Sequence, residues 1–137
     1  MYKLRFDGGS TPNPGEGAGA FVVYLNDQVI CQGGKYIPYG TNNVCEYTGL
    51  MEGLLVCIQN GWNHVEVEGD SLLVVNQING VWKVNHPELK KYHQEVKSMI
   101  LKLNHFSIQH IYRKFNSVAD HLCGITKLKK QSWIEYK

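Results

Sequence analysis

Nowhere in this chain do apolar residues run on for the roughly 18 positions that a membrane-spanning helix needs, and the first residues carry no signal-peptide pattern. A soluble, cytoplasmic protein is expected. Cysteine is sparse as well: Cys31, Cys45, Cys57 and Cys123 form no C-x-x-C pair and join no paired-histidine motif, which argues against a zinc site or a redox dithiol. Neither charge dominates, since 14 Lys and Arg against 12 Asp and Glu leave a net +2, too little to argue for a nucleic-acid partner from charge alone. Internal repeats, low-complexity tracts and interdomain linkers are lacking too. What remains is an ordinary globular composition over 137 residues, enough for one domain spanning 1–137 that buries about two-thirds of its unfolded surface. A monomer with no obligate protein partner is expected.

The N-terminal ten residues alternate Tyr2, Leu4 and Phe6 against Lys3, Arg5 and Asp7, the period of a half-buried strand, and then meet Gly8, Gly9 and Ser10. Alone, Asp7-Gly8 reads equally well as a hairpin turn. Residues 11–19, with two prolines and three glycines, read as a loop or wide bend. They are not a dinucleotide fingerprint, because they precede the strand Ala20–Leu25 instead of joining a strand to a helix. A third strand, Gln28–Tyr36, completes an antiparallel meander, and Pro38-Tyr39-Gly40 turns into a helix capped within Thr41–Asn43 and stopped at Gly61. Gly49 and Gly53 suggest a helix stripe lying close against the sheet.

His64–Asp70 forms a fourth strand in which Asp70 shares the phase of Glu66 and Glu68, as Asp7 shares that of Arg5. A right-handed helical crossover makes this strand parallel to the first and sets Asp70 beside Asp7. A short helix to Gly80, the connector Val81–Pro87, a long amphipathic helix through Leu103, a fifth strand around Phe106–Tyr112 and a last helix from Asn116 complete the chain. The expected architecture is α/β, a five-stranded mixed sheet of order 3-2-1-4-5 flanked by helices, followed by a basic tail at 127–137 that docks on the core.

This topology carries Asp7, Glu46, Asp70 and Asp120 to the same sheet edge, where open α/β sheets place ligands. Each acid also has a bland reading: Glu46 as the acid of a capping box starting at Asn43, Asp70 as the cap of the short helix. Four carboxylates brought together repel and call for cations, and an all-oxygen set favours magnesium, or manganese, over zinc. Two such ions about 4 Å apart suit phosphodiester hydrolysis.

Four segments together resemble the motifs of one family, type 1 ribonuclease H: Phe6-Asp7-Gly-Gly-Ser10 with Asn13-Pro-Gly, Thr41-Asn-Asn-Val-Cys-Glu46, Gly69-Asp70-Ser71, and Arg113-Lys-Phe-Asn-Ser-Val-Ala-Asp120. The resemblance covers almost the whole chain and implies a ribonuclease H-like fold and endonucleolytic cleavage of the RNA strand of RNA–DNA hybrids, with two Mg2+ ions, or Mn2+, held by the four acids. It implies that Asp7 bridges the metals, that Glu46 holds one near the RNA 2′-hydroxyl, and that Asp70 and Asp120 complete the shells. Gly8, Gly9, Ser10, Asn13, Asn42 and Asn43 become candidates for groove and sugar contacts, Thr41 for a DNA phosphate, and Ser71, Trp82 and Asn116 for further substrate contacts. Trp82 reads equally as a core plug.

The chain departs from the family pattern in three places. It is similar to the shorter archaeal and plant-like branch, because Gly80–Pro87 leads almost directly into the long helix without a basic protrusion. The loop before the last helix lacks a histidine found in some relatives, leaving Arg113, Lys114 or His121 to stand in, and Leu72 replaces a common glutamine. Two rival readings stay open: a non-catalytic hybrid- or RNA-binding module, and another two-metal nuclease. A proofreading exonuclease would place a second acid where Gly9 stands.

Overall fold

A computed structural model describes residues 1–137. The strands β1 (Tyr2–Ser10), β2 (Gly15–Leu25) and β3 (Gln28–Gly40) form an antiparallel meander, and α1 (Asn42–Gln59) crosses over to β4 (His64–Gly69). The helices α2 (Leu72–Ile78) and α3 (Pro87–Ile100) lead to β5 (His105–His110). A 3-10 turn at Arg113–Phe115 then precedes α4 (Ser117–Lys129) and β6 (Trp133–Tyr136). None of the helices is long and apolar enough to cross a membrane.

Strand alternation divides the core in two. On one face, Leu4, Phe6, Phe21 and Val23 pack with Tyr47, Leu50 and Leu54 of α1 and with Val96 of α3. On the other, Ala20 and Val22 meet Ala119, Leu122 and Cys123 of α4. The sheet has six strands in the order β5-β4-β1-β2-β3-β6, which corrects the expected five by adding a strand at the β3 edge. The added strand comes from the supposed basic tail. Lys127 and Lys129 belong to α4, Lys130 takes a left-handed φ of 53° that reverses the chain, and Trp133 then pairs with Gly34 and Tyr136 with Cys31. Trp133 Nε1 donates to Thr126 Oγ1 at 2.9 Å, pinning the strand to the helix before it.

Two boundaries also move outward. Residues 15–19 continue β2, with Gly17 opposite Ser10 and Gly19 opposite Gly8, where a bend was expected. The glycines serve packing here: a Cβ at Gly19 would collide with the backbone of Gly49, and one at Gly49 with the carbonyl oxygens of Asp7 and Ala20. The glycine stripe expected on α1 is this contact, a crossing that leaves no room for a methyl group. β3 likewise runs on through Pro38 to Gly40, since the proline lies between the paired residues Ile37 and Gly40 and its missing N–H interrupts no pair of the ladder.

Overpacking this crossing is expected to cost about 1–3 kcal/mol, so Gly49→Ala should lower the urea midpoint. Gly124→Ala, inside α4 with nothing within 4 Å of its added Cβ, should raise stability by up to about 1 kcal/mol. Equal midpoints for Gly49→Ala and the parent chain would contradict the close approach.

Candidate active site

β1 and β4 pair in parallel, Leu4 opposite Val67 and Phe6 opposite Gly69, so the next residue on each chain is an acid: Asp7 and Asp70 leave the sheet side by side. Glu46 arrives from α1, beneath which Gly8 must lack a side chain because a Cβ would strike the Cys45 and Glu46 backbone. Carboxylate oxygens of Asp7, Glu46 and Asp70 lie within 4.8 Å of one another.

Capping accounts for none of these acids. The helix cap is Thr41, whose hydroxyl accepts from Val44 N–H at 3.2 Å, so Glu46 lies beyond the capping-box position. Ser71 caps α2 in the same way, accepting from Val74 N–H at 3.2 Å, and Asp70 precedes the cap. Ser71 therefore spends its hydroxyl as an acceptor on its own helix.

Asp7 is 7% and Glu46 9% exposed. Burial, then the charges of Asp7 and Asp70, push the Glu46 carboxyl up to about 10. Asp7 is pushed up to about 7, again by burial first and then by Asp70, with Asp120 adding to the rise. Glu46 Oε1 is buried without any hydrogen-bond partner. An orphaned carboxylate oxygen among two more acids, with no cation of the protein paired to them, suits a hard divalent cation. Asp120 reaches the group from its solvent side: its carboxyl interacts with that of Asp7, its side chain is 51% exposed, and Oδ1 lies 3.9 Å from Arg113 Nη2. It lines the same cavity of about 810 Å³, together with Gly8, Gly9, Asn42, Arg113 and Lys127.

Glu68 and Cys123 sit close to this site without the marks of a ligand or nucleophile. Glu68 is buried, yet Arg5 Nε at 2.9 Å and Gln109 Nε2 at 3.0 Å outweigh the burial and hold its carboxyl below the usual range. It is an ion-paired strut joining β1, β4 and β5. Burial pushes the Cys123 thiol far up, which leaves it protonated.

Among the expected substrate contacts, Ser10, Asn13 and Asn42 form one hydrogen-bonded array. Asn42 Oδ1 accepts from Ser10 N–H at 2.8 Å, and Asn13 Oδ1 accepts from Asn42 N–H at 3.1 Å. Thr41 is occupied as the cap, and Asn43 is a partly buried residue of the first turn of α1. Trp82 lies elsewhere, beside Lys83, Lys90 and His93 in a second cavity of about 300 Å³. It is exposed, so it does not plug the core. Asn116 lies beneath the acids: it is 1% exposed, and its amide donates to Phe6 O at 2.8 Å and Asp70 Oδ2 at 3.2 Å, so it braces them. Lys127, absent from the expected set, follows Asp120 by seven residues on the helix, and that spacing was the signal that places it on the cavity face.

Residues 5–125 match a family model described as reverse transcriptase-like. A ribonuclease HI from Halobacterium salinarum is 35% identical over 120 residues, covering 87% of this chain and 60% of that protein. A bifunctional protein of Mycobacterium tuberculosis is 36% identical over 123 residues, 88% of this chain but 34% of its own length. The chain thus spans less than two thirds of either. Among solved structures, RNase H1 of H. salinarum superposes with a TM-score of 0.89 at 32% identity, covering 95% of this chain and 98% of that one. LC11-RNase H1, solved in complex with an RNA/DNA hybrid, gives 0.89 at 29% identity, covering 94% and 98%. With its acids at the ends of β1 and β4 and in α1 and α4, and with these matches along nearly its whole length, the chain belongs to the type 1 ribonuclease H family.

Proposed function

We propose that this chain is a metal-dependent endonuclease that hydrolyses the RNA strand of RNA–DNA hybrids, with Mg2+ held by Asp7, Glu46 and Asp70 and, from the cavity rim, by Asp120. The observation that carries this reading is the trio of carboxylates within 4.8 Å of one another, two of them buried and one with an unpartnered oxygen. The hybrid in the LC11-RNase H1 structure supports the substrate assignment. Bound divalent cations supply charge for a water nucleophile and a departing oxygen.

The protein's own groups do the rest. Asp7 and Glu46 exchange a proton-favouring environment for a cation, so loading releases protons. Asn116 holds the Asp70 carboxylate, and the Phe6 carbonyl next to Asp7, in one fixed relation. The Ser10–Asn13–Asn42 array, beside the side-chain-free Gly8 and Gly9, gives a nucleic-acid strand a close polar approach to the acids. A 2′-hydroxyl is what such a surface can use to tell RNA from DNA. The reaction consumes one water per phosphodiester and leaves a phosphate monoester and a hydroxyl.

In magnesium, an end-blocked, labelled hybrid should be cut internally by the parent chain, and Asp7→Asn or Asp70→Asn should reduce the rate on the order of a hundredfold or more. Inertness of the parent, or protection by the end blocks, would overturn the proposal. Without metal, both raised carboxyls oppose folding once ionised. The contribution of these two groups to stability should be fullest below about pH 4 and decline as pH rises through the folded-state values of about 7 for Asp7 and about 10 for Glu46. Melting curves at pH 5 and pH 8 should show that decline, Glu46→Gln should shrink it, and saturating magnesium should restore about 2–3 kcal/mol at roughly a hundredfold over Kd. A melting temperature at pH 8 that ignores magnesium would count against a preformed site. Asn116→Ala should cost about 1–3 kcal/mol of stability and lower kcat while leaving KM for the hybrid nearly unchanged.

A further inference from the structure

The turn between β5 and α4 carries groups that the acid site leaves unused. His110, Tyr112 and Phe115 put three rings within six residues, interleaved with Arg113 and Lys114. Tyr112 is 70% and Phe115 56% exposed, and neither belongs to a core cluster. The His110 ring meets Tyr112 edge-on at 5.8 Å, and Lys114 Nζ lies 5.1 Å from the centre of the Phe115 ring. Isolated surface aromatics need no explanation. A cluster with cations between its members is a different object.

The backbone beneath these rings is held firmly. Phe115 N–H donates to Tyr112 O at 2.9 Å and Asn116 N–H to Arg113 O at 2.9 Å, while Arg5 Nη1 donates to Phe115 O at 3.3 Å. The rings are thus presented without the cost of ordering a loose loop. The surface is also continuous with the acids, because Arg113 lines their cavity and lies beside Asp120. In the sheet it lies on the β5 side of Asp7, whereas the Ser10–Asn13–Asn42 array lies on the β2 side. Nucleic acid held by that array and crossing the acids runs next onto the turn.

We infer that Tyr112–Phe115, with His110, is a stacking platform for unpaired nucleotides of an RNA strand that continues past the end of a hybrid lying over the acid cavity. Exposed ring faces match bases of any sequence, and Arg113 and Lys114 match the phosphates between them. The inference rests on the hydrolytic reading of the site. It adds a second class of ligand, single-stranded RNA joined to a hybrid, and it favours junctions over blunt duplexes.

Its test uses the full chain carrying Asp7→Asn, in magnesium, with fluorescent hybrids of one duplex length that are blunt or carry an RNA tail at the 5′ or 3′ end. A tail at one of the two ends should tighten binding roughly tenfold per stacked base. Tyr112→Ala with Phe115→Ala should erase that gain while leaving blunt-hybrid affinity and the melting temperature unchanged, and Tyr112→Phe with Phe115→Tyr should keep it. No gain from either tail, or a gain that survives the double alanine substitution, overturns the inference and leaves the hydrolytic reading intact. Failure of the blunt hybrid itself to bind sinks both.

Discussion

Three acidic side chains forced together with little water govern this molecule. The cost falls chiefly on Glu46, which has lost its solvent, gained two like-charged neighbours and kept an unpaired oxygen. A fold maintains such an arrangement only where its backbone leaves no alternative. Here the backbone is over-determined: β1 sits in the interior of the sheet with neighbours on both sides, parallel pairing delivers Asp70 next to Asp7, and α1 packs so closely that its first turns cannot withdraw. Packing far from the acids holds them where electrostatics alone would separate them.

The contrast with Glu68 shows how local that constraint is. One residue before Gly69 on the same strand, an equally buried carboxylate has a guanidinium and an amide waiting for it, and its affinity for protons falls. Glu46 has no such partner, and its affinity for protons rises. Both exclude solvent almost equally at the surface, but Glu46 lies deeper in the protein and faces two further acids, so desolvation and like charge separate the two along with the provision of donors. The protein provides them where it needs a strut and withholds them where it leaves room for a cation.

Period-two alternation in β1 and β4, together with a single crossover rule, was enough to place Asp7 beside Asp70 from sequence. Motif spacing added Glu46. Other features were illegible for physical reasons. Glycines at 17 and 19 look like turn residues, because nothing in one dimension tells a glycine needed for φ from one needed for a neighbouring helix. The strand β6 follows a basic run and depends on a single left-handed residue, Lys130, to send it back along β3. Asn116 stands where a cap is expected, yet its side chain turns inward to Phe6 and Asp70, a choice set by contacts more than forty residues away in sequence. Asp120 shares the cavity but keeps half its surface in water, a gradation that residue type cannot express.

The crossing of α1 over β1 and β2 has a consequence for how this chain can change. Gly49 rests against the carbonyl oxygen of Asp7, and Glu46 lies three residues before it, about 4.5 Å along the axis. The helix therefore works as a lever with its fulcrum under Gly49 and the Glu46 carboxylate at the near end. Any side chain inserted at the fulcrum tips Glu46 relative to Asp7, so a change in packing is at once a change in the spacing of the acids. Robustness and chemistry share that one contact, and drift at position 49 cannot trade one for the other.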